Sequence, residues 1–268
     1  MTILQAFILG IIQGFTELLP ISSSAHLALT PWLLGWPEAG LAFDTALHLG
    51  TLIAIVGYFR DEWRRLILAA ISLAKKRRAE TPEERRVVFL VIATIPAGIA
   101  GLLLDEYAET VFRSPVIIAT NLVVMGILLW AIDRYMSRDR GMESMSWKDA
   151  MFVGLAQCLA LVPGVSRSGS TITAGRALGL TRESAAVFSF LLSMPITVAA
   201  VAFKMPDALR EAESVVPLAV GVVAAAVSAW VAIEVLLRYV ARRSYGIFAV
   251  YRVAFGAMIF YLIYARGL

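Results

Sequence analysis

Two short stretches concentrate polar and ionisable side chains inside an otherwise apolar chain. The first, "QGFTELLPISSSAH" (residues 13 to 26), sets Gln13 and Glu17 four apart, hence on one helical face, and follows them with Ser22, Ser23, Ser24 and His26. A carboxylate and an amide so placed could hold a divalent cation with hard oxygen ligands, move a proton, or form a transporter's coupling-ion site. His26 could act as base or nucleophile, and any of the serines could attack instead. The second stretch, "PGVSRSGSTIT" (163 to 173), suits an anion. Its small residues let backbone amides approach, Ser166, Ser168, Ser170 and Thr171 offer hydroxyls, and the planar fork of Arg167 matches phosphate oxygens two at a time. If Thr171 begins a helix, the N-terminus adds oriented N–H groups and the positive end of a dipole. The plain alternative is an exposed turn whose serines and threonines cap helices.

The elements that carry these stretches belong in a membrane. Of 268 residues 59% are hydrophobic and 16% charged, against about 25% charged in soluble domains, and mean hydropathy is +0.77. A spanning helix needs about 20 mostly apolar residues, and six segments supply or approach that: 41 to 59, 87 to 104, 116 to 133, 183 to 203, 215 to 237 and 247 to 265. Residues 3 to 19 stop at Pro20, and the run resuming at Leu27 is stopped by Pro31 and the Gly35-Trp36-Pro37 turn. Residues 149 to 162 are too few to cross and stop at Pro163-Gly164. Both regions therefore read as re-entrant broken helices, which membranes tolerate only where protein or a water-filled cavity satisfies the irregular backbone. The start, MTILQAF, lacks a basic n-region and a small-residue cleavage site, so it reads as mature structure. The single cysteine, Cys158, excludes an internal disulfide and gives no metal pattern.

Lysines and arginines set the orientation. Eighteen fall in the connections 60 to 86 and 134 to 148 and before the fourth and sixth spans; four, Arg113, Lys204, Arg210 and Arg266, fall on the opposite face, whose first loop, "DEYAET", is acidic. The richer face should be cytoplasmic, with both termini outside. The net charge of +4 thus reflects topology and not nucleic-acid binding.

Shifting the chain by 144 residues lays "GIIQGFTELLPISSS" over "GLAQCLALVPGVSRS" without a gap, matching Gly10 to Gly154, Gln13 to Gln157, Ser22 to Ser166 and Ser24 to Ser168. Three spans between the copies make them inverted repeats, about 1–146 and 147–268, in an all-α polytopic membrane domain of six spans and two re-entrant hairpins. Such architectures meet at a midplane site. Among other polar residues, Asp44 and His48 read as a local buried contact, Glu234 and Arg238 as a snorkelling pair, and Arg252 as neutralising a buried acid or reaching the interface.

At this point the residues resemble a known family. "QGFTELLPISSSAH" and "PGVSRSGSTIT", with "FDTALHLGTLIAI", "FSFLLSMP" and the terminal "YR", are similar to the bacterial undecaprenyl pyrophosphate phosphatase family associated with bacitracin resistance, over essentially the whole chain. The resemblance implies a phosphoric anhydride hydrolase of the bacterial inner membrane, its site opening to the extracytoplasmic side. It would take the terminal phosphate from a long-chain isoprenyl diphosphate, returning the lipid carrier to peptidoglycan synthesis, with Mg2+ or Ca2+ as cofactor. Carried across, the family's first motif acid falls on Gln13, a departure that weakens a two-carboxylate metal site and leaves ligation by Glu17 as the expectation. Its serines fall on Ser22 and Ser23, its histidine on His26, and the second motif on Ser166, Arg167 and Thr171. Glu17, Ser23, His26, Ser166, Arg167 and Thr171 are then the expected catalytic residues, with Gln13, Ser22, Ser166, Arg167, Ser168 and Thr171 around the phosphates. Ser23, His26 or a water could be the nucleophile. A lipid-phosphate transporter using the same two loops is the rival reading, a membrane scaffold a weaker one, and self-association is left open.

Overall fold

The computed structural model describes residues 1–37, 40–109, 114–211 and 214–266; among these all regular structure is helical apart from one isolated bridge between Arg140 and Leu180. Arg113, counted above for the outer face, lies outside the described residues. In chain order the α-helices are α1 (Ile3–Leu18), α2 (Ser23–Leu34), α3 (Leu41–Tyr58), α4 (Arg60–Lys76), α5 (Pro82–Glu109), α6 (Pro115–Tyr135), α7 (Trp147–Cys158), α8 (Arg167–Ala177), α9 (Arg182–Glu211), α10 (Val215–Val240) and α11 (Gly246–Arg266).

Among the described residues, five helices are long and apolar enough to cross a membrane: Pro82–Leu104, Pro115–Tyr135, Arg182–Pro206, Val215–Val240 and Gly246–Ala265. The sixth expected span, 41 to 59, is α3, whose 18 residues reach about 27 Å against a hydrocarbon core of about 30 Å. Three local expectations change. The basic connection after α3 is largely the helix α4, which turns Leu66 and Ala69 inward and leaves Ile67, Leu68 and Ile71 exposed. Helix α2 runs through Pro31, because the missing donor falls in its last turn and the left-handed Gly35 closes the helix onto the Pro31 carbonyl. Helix α8 begins at Arg167, capped by Ser166, so Thr171 lies inside it.

Small residues set the packing. Helix α1 lies along α10, and a Cβ added to Gly14 would come within 2.0 Å of Ser228 Oγ and 2.4 Å of the Ala225 carbonyl oxygen. Helix α7 approaches α5 in the same way, with a Cβ on Gly154 reaching within 2.6 Å of the Ala93 carbonyl oxygen. Close backbone approach through glycine is how helices associate where lipid removes the hydrophobic drive between them. Helix α11 packs on α6, and α3 packs on α9 and α10. The largest core cluster, with Phe188, Phe190, Leu191 and Ile172, surrounds α8 and α9, while Leu102, Leu103, Val223 and Val227 face outward.

Candidate active site

Two interrupted turns build the site. Leu19 is extended because it precedes Pro20, which disfavours helix in the residue before it, so α1 ends there. After Ile21 the chain enters α2 through Ser22, whose φ is 75° and whose side chain accepts from the Ala25 amide at 3.4 Å. In the second turn a 3-10 segment, Leu159–Leu161, leads to extended Val162 before Pro163. Ser166 then opens α8 with φ 74° and accepts from the Gly169 amide at 3.0 Å. Positive φ in a residue with a side chain is uncommon and strained, and clusters at functional sites. Each cap serine also pairs with the serine two residues on, Ser22 with Ser24 and Ser166 with Ser168, at 3.2 Å in both cases.

The N-termini of α2 and α8 meet at a cavity of about 230 Å³ whose polar lining includes Glu17, Ser23, Ser24, His48, Ser166 and Arg167. One carboxylate organises it. Glu17 Oε2 accepts from the Ser23 hydroxyl at 2.5 Å and from Gln13 Nε2 at 3.1 Å, and lies 3.4 Å from His48 Nε2. Glu17 Oε1 accepts from Arg167 Nη2 at 2.5 Å, and Arg167 Nη1 donates to Thr197 Oγ1 at 3.3 Å. A hydroxyl beside a carboxylate beside a half-buried guanidinium can attack phosphorus, accept a proton and hold phosphate charge, and two helix N-termini favour an anion between them.

The remaining expected residues brace this centre. His26 does not line the cavity: Nδ1 bonds the Ser22 carbonyl at 2.7 Å, Nε2 pairs with the Tyr251 hydroxyl at 2.7 Å, and the ring stacks on Phe255. The Ser22 carbonyl can only accept, so Nδ1 carries the proton and Tyr251 donates to Nε2. Thr171 donates to the Arg167 carbonyl at 2.8 Å and pairs with Ser189 at 2.7 Å, and Ser170 donates to the same carbonyl at 3.0 Å. Ser168 reaches across to the Leu19 carbonyl at 3.0 Å, tying the two turns together.

Three contributors lie outside the two polar stretches: His48 in "FDTALHLGTLIAI", Arg252 in the terminal "YR", and Thr197 in none of the quoted segments. His48 belongs to the cavity, and its bond to residue 44 runs from Nδ1 to the Asp44 backbone carbonyl at 2.8 Å. Thr197 reaches Arg167 from α9, thirty residues on. Arg252 corrects an expectation: it is fully buried, short of the interface, and among the described residues its hydrogen bonds go to backbone carbonyls and not to an acid. It donates to the Pro20 carbonyl at 3.1 Å and to those of Gly164 and Val165 at 2.7 and 2.9 Å, holding the peptides just before both cap serines. Its signals in the sequence are a charge inside an apolar run and its place in the terminal "YR". Glu234 and Arg238 do form their i, i+4 pair, and the Tyr58 hydroxyl donates to Glu234 at 2.5 Å.

Among the described residues no three His, Cys, Asp or Glu side chains group to cage a metal. The carboxylate at hand is that of Glu17; Gln13, expected beside the phosphates, is fully buried behind it, donates to Glu17 and does not line the cavity. Such a hard, sparse donor set suits an ion that shares its shell with substrate phosphates, as Mg2+ does, and not an all-protein cage.

The family model described as "Bacitracin resistance protein BacA" matches residues 6–258. The chain is 63% identical to the undecaprenyl-diphosphatase of Gemmatimonas aurantiaca, covering 99% of this chain and 100% of that one. It is 50% identical to the undecaprenyl-diphosphatase of Pelotomaculum thermopropionicum, over 99% and 98% of the two chains. With that of Myxococcus xanthus the identity is 43%, over 98% and 90%.

Proposed function

The chain belongs to the bacitracin resistance protein BacA family, and from that premise we propose that it is an undecaprenyl-diphosphatase. It hydrolyses undecaprenyl diphosphate to undecaprenyl phosphate and inorganic phosphate, regenerating the lipid carrier of cell-wall synthesis. The relatives carry an enzyme's name, and nothing among them supports lipid transport. The observation that carries the chemical reading is the convergence of Ser23 and Arg167 on the two oxygens of Glu17 inside the cavity.

The diphosphate head enters between the N-termini of α2 and α8 while the isoprenyl chain stays in lipid. Arg167 leaves Glu17 for the phosphate oxygens and, with the amides of the α8 N-terminus and Ser166, holds the charge that grows on the transferring group. Ser23 Oγ attacks the terminal phosphorus. The bond to the bridging oxygen breaks, and the Ser23 proton passes through Glu17 to the departing isoprenyl monophosphate. Water then attacks the phosphoseryl phosphorus; a water proton passes through Glu17 back to Oγ, and hydrogen phosphate leaves. Ser23 suits the nucleophile better than His26, because both ring nitrogens of His26 are engaged and its ring is stacked away from the cavity. His48 orients the carboxylate that Ser23 uses. A divalent cation, Mg2+ or Ca2+, would be held by Glu17 together with substrate oxygens, and would supply charge neutralisation.

The architecture we assign is a multi-pass inner-membrane protein of two inverted repeats, about 1–146 and 147–268, its site open to the extracytoplasmic side. The matched caps at Ser22 and Ser166 support the repeat, and the lysine and arginine bias supports the orientation. The test is phosphate release from a long-chain isoprenyl diphosphate by the purified protein in detergent, with and without EDTA, beside Arg167→Ala. Release abolished by the chelator and by the substitution is expected. A folded, substrate-binding protein that releases none would overturn the reading.

A further inference from the structure

One amide at the cavity has no part in the chemistry above. Gln157, on α7, lines the cavity and is 3% exposed. Its Nε2 donates to the Ala93 carbonyl of α5 at 3.4 Å, while its buried Oε1 accepts from no protein group. The amide is not free to turn. Helices α5 and α7 approach closely at Gly154, which holds the Ala93 carbonyl against the side chain, and a turned amide would set two acceptor oxygens face to face. A buried acceptor without a donor is costly, so the loaded site is where a donor should come from.

The substrate itself offers little. The oxygens of an ionised diphosphate or a phosphoseryl group accept hydrogen bonds, the isoprenyl chain has no polar hydrogen, and Arg167 turns its donors from Glu17 to the phosphate oxygens once substrate arrives. Water is the donor that hydrolysis must admit. Gln157 also belongs to the arm opposite in sequence to the one carrying Ser23: it precedes the α7–α8 turn, whereas Ser23 opens α2. In-line displacement requires the attacking oxygen to approach from the side away from the leaving Oγ, so nucleophile and water should be held by different arms.

We propose that Gln157 is a catalytic residue whose Oε1 accepts a hydrogen bond from the hydrolytic water and orients that water on the phosphoseryl phosphorus. The bond from water oxygen to phosphorus forms as the phosphorus–Oγ bond breaks, one water proton returns to Ser23 through Glu17, and hydrogen phosphate departs. The inference rests on the phosphoseryl reading, and its test separates the two.

The enzyme in detergent is given isoprenyl diphosphate labelled in the terminal phosphate, with glycerol as a competing acceptor, and three quantities are followed: phosphate released, phosphate transferred to glycerol, and label retained on protein. Gln157→Met keeps the length of the side chain without its acceptor. It is expected to lower phosphate release by about 10²-fold, to raise the label on Ser23, and to shift the partition from water toward glycerol. Gln157→Glu keeps an acceptor oxygen and holds the partition at the wild-type value or moves it toward water; a shift toward glycerol in this variant overturns the proposal. So does a Gln157→Met partition that stays unchanged, whether release falls or not. So does a variant whose only change is a higher Mg2+ requirement, which would make Gln157 a cation ligand. If neither wild type nor variant retains label, the phosphoseryl reading fails, and the partition still decides whether Gln157 orients a directly attacking water.

Discussion

Ser22 in the α1–α2 turn and Ser166 in the α7–α8 turn stand at φ 75° and 74°, each caps the helix that follows, and each pairs with a serine two residues later at 3.2 Å. The position after each cap is where the turns part: Ser23 follows Ser22, and Arg167 follows Ser166. Six residues before those positions the first turn carries Glu17 and the second carries Leu161. Both turns therefore present a helix N-terminus to an anion, yet the acid and the nucleophile sit on one and the cation on the other. Binding an anion needs only the shared scaffold; breaking an anhydride needs the difference, since neither turn alone holds a nucleophile, a proton acceptor and a charge clamp.

The sharpest way to break this asymmetry is Arg167→Ser, which gives the second turn the residue of the first. Phosphate release should fall by at least about 10³-fold, because the charge on the transferring phosphate loses its fixed guanidinium. Next comes Glu17→Gln, which keeps a hydrogen-bonding partner for Ser23 but removes the proton acceptor; release should fall by about 10²-fold to 10⁴-fold, measured under the same conditions. The smallest effect belongs to what the turns share. Ser22→Gly and Ser166→Gly lose the cap oxygen but take the positive φ without strain, so thermal unfolding should place each within about 1 kcal/mol of the wild type, with the two close to each other. A large difference between these two glycine variants would show that the caps are not equivalent.

Much of this contrast was legible in the sequence because it is local. Glu17, Ser23, Ser166 and Arg167 fall within short motifs, and Pro20 and Pro163 announce the interruptions that bring them to the cavity. What escaped depends on packing between distant segments. His48 had a nearer explanation four residues away at Asp44, and only the approach of α3 to α1 shows that its ring faces Glu17. A charge in the last apolar run reads as neutralising a buried acid or reaching the interface, whereas backbone carbonyls from two turns more than 140 residues apart satisfy Arg252, and no pattern of side chains encodes carbonyl directions. Helix α4 was hidden by its own charges, although Trp63, Leu66, Ile67 and Ala70 repeat at helical spacing through them. The place of His26 in the motif suggests a base or nucleophile, but its partner Tyr251 lies 225 residues on.

The most direct test of the account is rapid quenching of the enzyme with isoprenyl diphosphate labelled in its terminal phosphate, followed by mapping of the labelled peptide. The account predicts a labelled phosphoserine at Ser23 that appears before steady-state phosphate release and is absent, together with turnover, in Ser23→Ala. Label on His26, or a Ser23→Ala variant that turns over at the wild-type rate, would contradict it.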